Sequence, residues 1–266
     1  MNRVVVAWNG SEAARAGLRW AVEHARAASS HLIVVHAVPD DGVAVPLESA
    51  DAHIRGAVGG LAEAGIDIDV QVERGDPVDV LVRSMDSATM LVVGQDRSAP
   101  ETYRHRATVS RVLARVAGSV ALVPTPPPER PARADVVVGV DDVTGSAAAI
   151  RFAGQEAARR GVALRAITAW SAPLGTRHDP SSERRLRERE RILQLLEEHV
   201  ERALTALPNL NVVRSAPEDG VIAELLRAAD EAQLVVVGSG RHDGPGVGTV
   251  ARAVATASPV PAVIVA

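Results

Sequence analysis

The sequence predicts an α/β protein made of two tandem copies of one domain, each a parallel five-stranded sheet with helices on both faces. Three observations carry this. Val4-Val5-Val6-Ala7-Trp8-Asn9-Gly10-Ser11 at the start is echoed by Val136-Val137-Val138-Gly139-Val140-Asp141-Asp142. Met90-Leu91-Val92-Val93-Gly94 is echoed by Leu234-Val235-Val236-Val237-Gly238, and Ser119-Val120-Ala121-Leu122-Val123 by Pro261-Ala262-Val263-Ile264-Val265. Between the copies, Pro124-Thr125-Pro126-Pro127-Pro128-Glu129-Arg130-Pro131 is too proline-rich for helix or central strand and reads as an extended linker.

Taken in order, the first copy (1–124) offers strands near 3–8, 31–38, 66–73, 89–94 and 119–123, and helices near 11–28, 48–64, 77–87 and 108–117. After a linker at 125–134, the second copy (135–266) offers strands near 135–141, 162–169, 210–214, 233–238 and 260–265. Its helices fall near 145–160, 181–206, 219–230 and 248–257. The strands are continuous Val/Leu/Ile runs rather than alternating ones, the mark of strands buried on both faces. Strand–helix alternation then implies right-handed crossovers and a parallel sheet. In the long segment 181–206, Leu186, Leu193, Leu196, Val200, Ala203 and Leu207 repeat at helical spacing and predict a core-facing stripe. The mixed charges between them predict a solvated face.

Hydrophobic residues make up 47% of the 266-residue chain and charged residues 23%, the balance of a globular protein, while aromatics at 2% leave the core to Val, Leu, Ile and Ala. The net charge of −4 gives no global attraction to nucleic acid or to an acidic membrane. There is no cysteine, hence no disulfide, thiolate nucleophile or Cys-based metal site, and no lysine, hence neither a Walker-type phosphate lysine nor a Schiff base. The N-terminus shows no signal-peptide pattern, and no apolar run approaches the ~18–20 residues that span a bilayer, so a cytoplasmic location is expected.

In an open parallel sheet, ligands bind beyond the carboxyl ends of the strands, at the point where strand order reverses. After the first strand of each copy stand Asn9-Gly10-Ser11-Glu12 and Asp141-Asp142. After the fourth stand Gly94-Gln95-Asp96-Arg97 and Gly238-Ser239-Gly240-Arg241. The run from Gly238 to Gly248 carries five glycines, and close approach of backbone to a phosphate chain is a physical reason for them. Thr249 and Val250 follow at a helix start, where unpaired amides favour an anion. The plain structural reading is that Thr249 only caps a helix and the glycines only make a surface loop.

These residues, with Leu18-Arg19-Trp20-Ala21, Gly75-Asp76-Pro77 and Gly248-Thr249-Val250, make the chain resemble, end to end, a universal stress protein of the tandem two-domain type common in actinobacteria. The resemblance implies a Rossmann-like sheet, related to the adenine nucleotide alpha hydrolases, in strand order 3-2-1-4-5. For the ATP-binding branch it also implies the loop G-x2-G-x9-G-[ST] after strand four. There an aspartate ending strand one and backbone after strand two hold the adenosine, while the glycines and the hydroxyl hold the phosphates. It further implies that the two domains pair through their last strands as an internal pseudo-dimer.

Each copy departs from that loop. The first has Gly94 and Thr108 at the family spacing, but Arg97 and Ala107 replace two glycines and Asn9 replaces the aspartate. The second has Asp141, Gly238, Gly248 and Thr249, but only nine residues separate its outer glycines and Arg241 replaces the middle one. The expected site therefore comprises Asp141, Gly238, Ser239, Gly240, Gly248, Thr249 and Val250, with Asn9, Gly94 and Thr108 as a degenerate counterpart. The expected ligand is ATP or another adenine nucleotide, ADP or AMP. Whether a metal is needed is left open, magnesium accompanying the nucleotide being the candidate. The expected function is a nucleotide-binding stress or regulatory protein; the alternative is an interaction module of the same fold that has lost nucleotide. No nucleic-acid or membrane partner is expected, and homodimerisation of the whole chain is compatible with the residues without being indicated by them. Of the eight histidines, His24, His31, His36, His53 and His199 fall inside predicted elements, while His105 and His242 lie in the strand-four loops. No H-E-x-x-H, no nucleophile elbow and no positioned general base points to an enzyme, and at most slow ATP hydrolysis is left open.

Overall fold

The computed structural model of the chain describes residues 3–39, 46–62, 66, 68–86, 89–96, 102–125, 134–141, 146–172, 182–218, 220–240 and 246–266, without the side chains of 60–62 and 102–106. The chain divides into two compact units, Met1–Pro127 with His242–Val247, and Pro128–Arg241 with Gly248–Ala266. Most of the expected linker, together with Asp40, Asp41, Arg97, Asp142, Arg241 and His242, lies outside the described residues.

The first unit runs β1 (Arg3–Trp8), α1 (Glu12–Ala28), β2 (His31–Val38), α2 (Leu47–Ala62), β3 (Ile68–Arg74), α3 (Pro77–Arg83), β4 (Thr89–Asp96), α4 (Thr102–Leu113) and β5 (Ser119–Thr125). Its strands are parallel in the order β3-β2-β1-β4-β5. The valine runs have the burial they require: Val4, Val5 and Val6 are fully buried, as are Leu32, Val34, Leu91 and Val92. Each such side chain contributes about 1.5–3 kcal/mol on leaving water. β3 has no fully buried residue, which is why its sequence alternates polar and apolar positions. Ser11 starts α1 by accepting the Ala14 amide, and Ser29 ends it in the left-handed conformation at φ 50°.

Two helices differ from expectation. α3 stops at Arg83 instead of running to 87, because Ser84 folds its hydroxyl onto Leu81 O and Asp86 forms a turn with Thr89, whose hydroxyl donates to Asp86 Oδ1 at 2.5 Å. α4 begins at Thr102, six residues earlier than the expected 108. No glycine lies between 95 and 117, so nothing in the segment opposes an early helix start.

The second unit repeats the plan as β6 (Asp135–Gly139), α5 (Ser146–Arg160), β7 (Leu164–Ile167), α6 (Glu183–Ala203), β8 (Val212–Ser215), α7 (Val221–Ala229), β9 (Ala232–Gly238), α8 (Thr249–Ala257) and β10 (Ala262–Val265). Its parallel strands follow the same relative order, β8-β7-β6-β9-β10. Only the C-terminal half of the α6 stripe is core. Leu196, Val200 and Ala203 are buried, whereas Leu186 is 53% exposed. In the first turns of α6, Arg184, Arg187 and Arg189 are exposed, Arg187 pairing with Glu183 within the helix, whereas Arg185 is half-buried and pairs with Glu218 after β8. Among the described residues no helix is long and apolar enough to cross a membrane.

Candidate functional site

In both units the strand order reverses between the first strand and the fourth, so the candidate site lies beyond the carboxyl ends of β6 and β9, or of β1 and β4. The register pairs Gly139 with Val237 and Val6 with Val92. Asp141 and Ser239 thus each stand two residues beyond the same rung of the second sheet ladder.

The second unit builds a compact end around this point. β9 finishes at Gly238, and the Ser239 amide donates to Val265 O at 2.8 Å, extending the ladder to β10. The chain turns at Gly240, φ +62°, a conformation natural to glycine. It returns at Gly248, whose amide donates to Ser239 O at 2.8 Å. Gly248 is the N-cap of α8, in extended conformation and without a side-chain cap. A Cβ at 248 would lie 3.0 Å from Gly240 O and 3.2 Å from Ser239 O, so any larger residue presses on the turn. Thr249 and Val250 open the helix at its exposed face, Val250 being 40% exposed. The head of a nine-residue helix is thereby fixed against the end of the fourth strand, where its first amides lack intrahelical partners and favour an anion.

Beside it, the β6 ladder continues one residue past the strand, Val140 N–H donating to Ile167 O at 2.8 Å, and delivers Asp141 to the surface. The Asp141 amide donates to Ser146 Oγ at 3.0 Å, and the Ser146 hydroxyl donates in turn to Asp141 Oδ1. Ser146 is the first residue of α5 and is 4% exposed. After β7 the chain continues to pair: Thr168 N–H donates to Ser215 O at 3.1 Å and Trp170 N–H to Pro217 O at 3.2 Å. Trp170 is buried, its indole N–H donating to Ala216 O at 3.1 Å. Sequence reasoning marked the position after strand two without naming a residue, and it missed both Ser146 and Trp170. The aromatic residue directly after the β7 run was the available signal for Trp170. Ser146 had none, because its partner is identified only by the fold.

The first unit places its counterparts differently. Gly94 lies inside β4, and a Cβ there would sit 1.8 Å from Ala13 O and 2.2 Å from Ala13 C. Its lack of a side chain is therefore demanded by α1, which crosses the strand at this point, also bringing Gly17 close. Asn9 is exposed, but its Oδ1 accepts the Ser11 amide at 3.1 Å and the Ser11 hydroxyl at 2.6 Å. That turn is closed on itself. Thr108 sits in the seventh position of α4, one and a half turns or more behind the helix start. Its backbone amide belongs to the helix interior, whereas Thr249 stands at the first position of α8. The second unit sets the expected residues beyond the ends of the neighbouring strands β6 and β9; the first sets Asn9 beyond β1 but Gly94 inside β4 and Thr108 inside α4.

Among the described residues, no group of three or more His, Asp and Glu side chains could hold a metal ion. His24 is buried and stacks on Trp20 with centroids 5.2 Å apart, and His36 Nδ1–H donates to Trp8 O at 2.8 Å. These are packing roles. The His105 side chain and His242 lie outside the described residues.

Residues 1–124 and 133–266 each match the model of the Universal stress protein family. Universal stress proteins of Mycobacterium bovis and Mycobacterium tuberculosis are 34% identical to the chain over 204 residues, 73% of this chain and 64% of theirs. The chain thus spans just under two thirds of these relatives' length. Another from Mycobacterium tuberculosis is 28% identical over 287 residues, covering 98% of this chain and 95% of its own. Among solved structures, a universal stress protein from Archaeoglobus fulgidus shares the fold with a TM-score of 0.70 at 17% identity, covering 99% of this chain and 96% of that one.

Proposed function

The chain belongs to the universal stress protein family, and from that premise we propose that it binds an adenine nucleotide in its second unit and acts through it in stress response or regulation. The observation that carries this reading is the Gly248 cradle. A glycine whose Cβ would press on the turn 3.0 Å from Gly240 O, its amide donating back to Ser239 O at 2.8 Å, fixes the head of α8 at the strand end. A helix head held open in this way would favour an anionic group. Gly238, Ser239, Gly240 and Gly248 would let backbone approach the phosphates, and Thr249 and Val250 would meet them at the helix start. Asp141 would accept ribose hydroxyls. Magnesium, if used, would arrive with the phosphates. The protein's own contribution is binding and orientation.

The first unit supports the other reading, a domain of the same fold without nucleotide, because Asn9 is committed to Ser11 and Thr108 lies inside a helix. One nucleotide per chain is therefore expected, not two. Protein purified without added ligand and then denatured should release adenine nucleotide at up to one equivalent. Gly248→Val should abolish that release, and Thr108→Val should leave it intact. A ligand that binds only the native state must raise its stability, by about 2.7 kcal/mol at a hundredfold excess over Kd. Absence of released nucleotide, together with a melting temperature indifferent to ATP, ADP and AMP, would refute the proposal.

A further inference from the structure

We propose that Ser146 is a positioning residue of the second-unit site, holding the Asp141 carboxylate in the orientation that reads the ribose; this rests on the nucleotide reading above. Two bonds of opposite sense join the pair. The Asp141 amide donates to Ser146 Oγ at 3.0 Å, and the Ser146 hydroxyl donates to Asp141 Oδ1. A hydroxyl has one proton to give and two lone pairs to accept with, so this division leaves no alternative pattern between the same atoms. One buried side chain thus fixes both the backbone and the carboxylate of an exposed residue. Left alone, an exposed aspartate samples several rotamers, and a ligand that needs one of them must meet the entropy of choosing it. Ser146 also opens α5, so the carboxylate is tied to a helix N-terminus, where negative charge is favoured.

The repeat supplies the internal comparison. The register that sets Val4 against Val136 and Leu32 against Leu164 sets Asn9 against Asp141 and Ala14 against Ser146. Where the second unit has a buried hydroxyl, the first has a buried methyl, and Asn9 turns instead to Ser11, whose own hydroxyl caps α1 through the Ala14 amide at 3.1 Å. The clamp and the carboxylate occur together in one unit and are both missing from the other.

A positioning role predicts a loss confined to the ribose. With whichever of ATP, ADP and AMP binds wild type best, Ser146→Ala should weaken affinity about five- to tenfold, the value of one hydrogen bond, while affinity for the 2′,3′-dideoxy counterpart stays unchanged. Ser146→Thr keeps the hydroxyl and should restore the ribonucleotide affinity. Asp141→Ala should show the same selective loss, and adding Ser146→Ala to it should cost nothing more. Equal weakening of both ligands by Ser146→Ala would reduce the residue to a structural one, and unchanged ribonucleotide affinity would remove the role altogether; either overturns the inference while the site stands. A wild type that binds none of the three ribonucleotides overturns the site reading and this inference with it.

Discussion

Gly94→Ala is expected to damage the first unit severely. The added carbon would lie 1.8 Å from Ala13 O, 2.2 Å from Ala13 C and 2.8 Å from the Ala14 amide nitrogen. Ordinary contact needs about 3.4 Å or more, so the backbone of α1 must retreat by well over an ångström. No rotamer change relieves this, because the offended atoms are main chain. α1 carries Leu18, Ala21 and Ala25, each at most 1% exposed, onto the sheet, and a shifted helix loosens all of them. Overpacking that side chains absorb costs about 1–3 kcal/mol; a backbone clash of this depth should cost about 3 kcal/mol or more. At a urea slope of about 2 kcal/mol/M, the first unit's midpoint should fall by about 1.5 M. Gly59→Ala is the matching control: it lies in α2, exposed, with nothing within 4 Å of its added carbon. There the substitution should stabilise by about 0.5–1 kcal/mol, through helix propensity. The same chemical change should thus have opposite signs at two positions, read by urea denaturation followed by circular dichroism. A Gly94→Ala midpoint within about 0.5 M of wild type would refute the close-approach argument.

Two further stability predictions follow from residues already placed. Leu196→Ala, at 2% exposure, should cost about 2–5 kcal/mol, whereas Leu186→Ala, at 53% exposure, should stay within about 0.5 kcal/mol; equal losses in denaturation would mean that the whole α6 stripe is core. Arg111 donates to both oxygens of Asp76 at 3.1 and 3.2 Å, and this pairing holds the carboxyl below its ordinary value, with help from the Val78 and Asp79 amides. A depressed folded pKa contributes stability above the unfolded value of about 3.9 and loses it as pH falls through the folded value. Asp76→Asn keeps a capping oxygen but no charge, so its deficit against wild type at pH 7, under about 1 kcal/mol for so exposed a pair, should shrink as the pH falls below about 4. A deficit constant from pH 7 to pH 3 would contradict the pairing.

The fold was legible because its signals are local and repeated. The valine runs of β1, β4, β6 and β9 announce strands buried on both faces, and Ser11 and Asp76 announce the helices that follow. The expected start of α4 at 108 lies six residues too late. The chain's own signal, Pro100-Glu101 before a glycine-free stretch, points to an earlier start. Leu186 was misjudged because helical spacing records which face is apolar, not how far along the helix the core extends. At the site, residue types were visible but commitments were not. Asn9 and Asp141 both read as acceptors, and only the hydrogen bonds show that one is bent onto Ser11 and the other clamped by Ser146.

The crossing of α1 over β4 bears on how such sequences are sorted into binders and non-binders. In the first unit the leading glycine of the loop signature answers to Ala13 whether or not a ligand is bound. Selection for folding alone would therefore preserve it after every phosphate contact had gone. A signature scored by counting its glycines credits such a copy with evidence that carries no information about ligand. The discriminating features lie further along: where the following helix begins, and whether its hydroxyl residue stands at the head or in the interior.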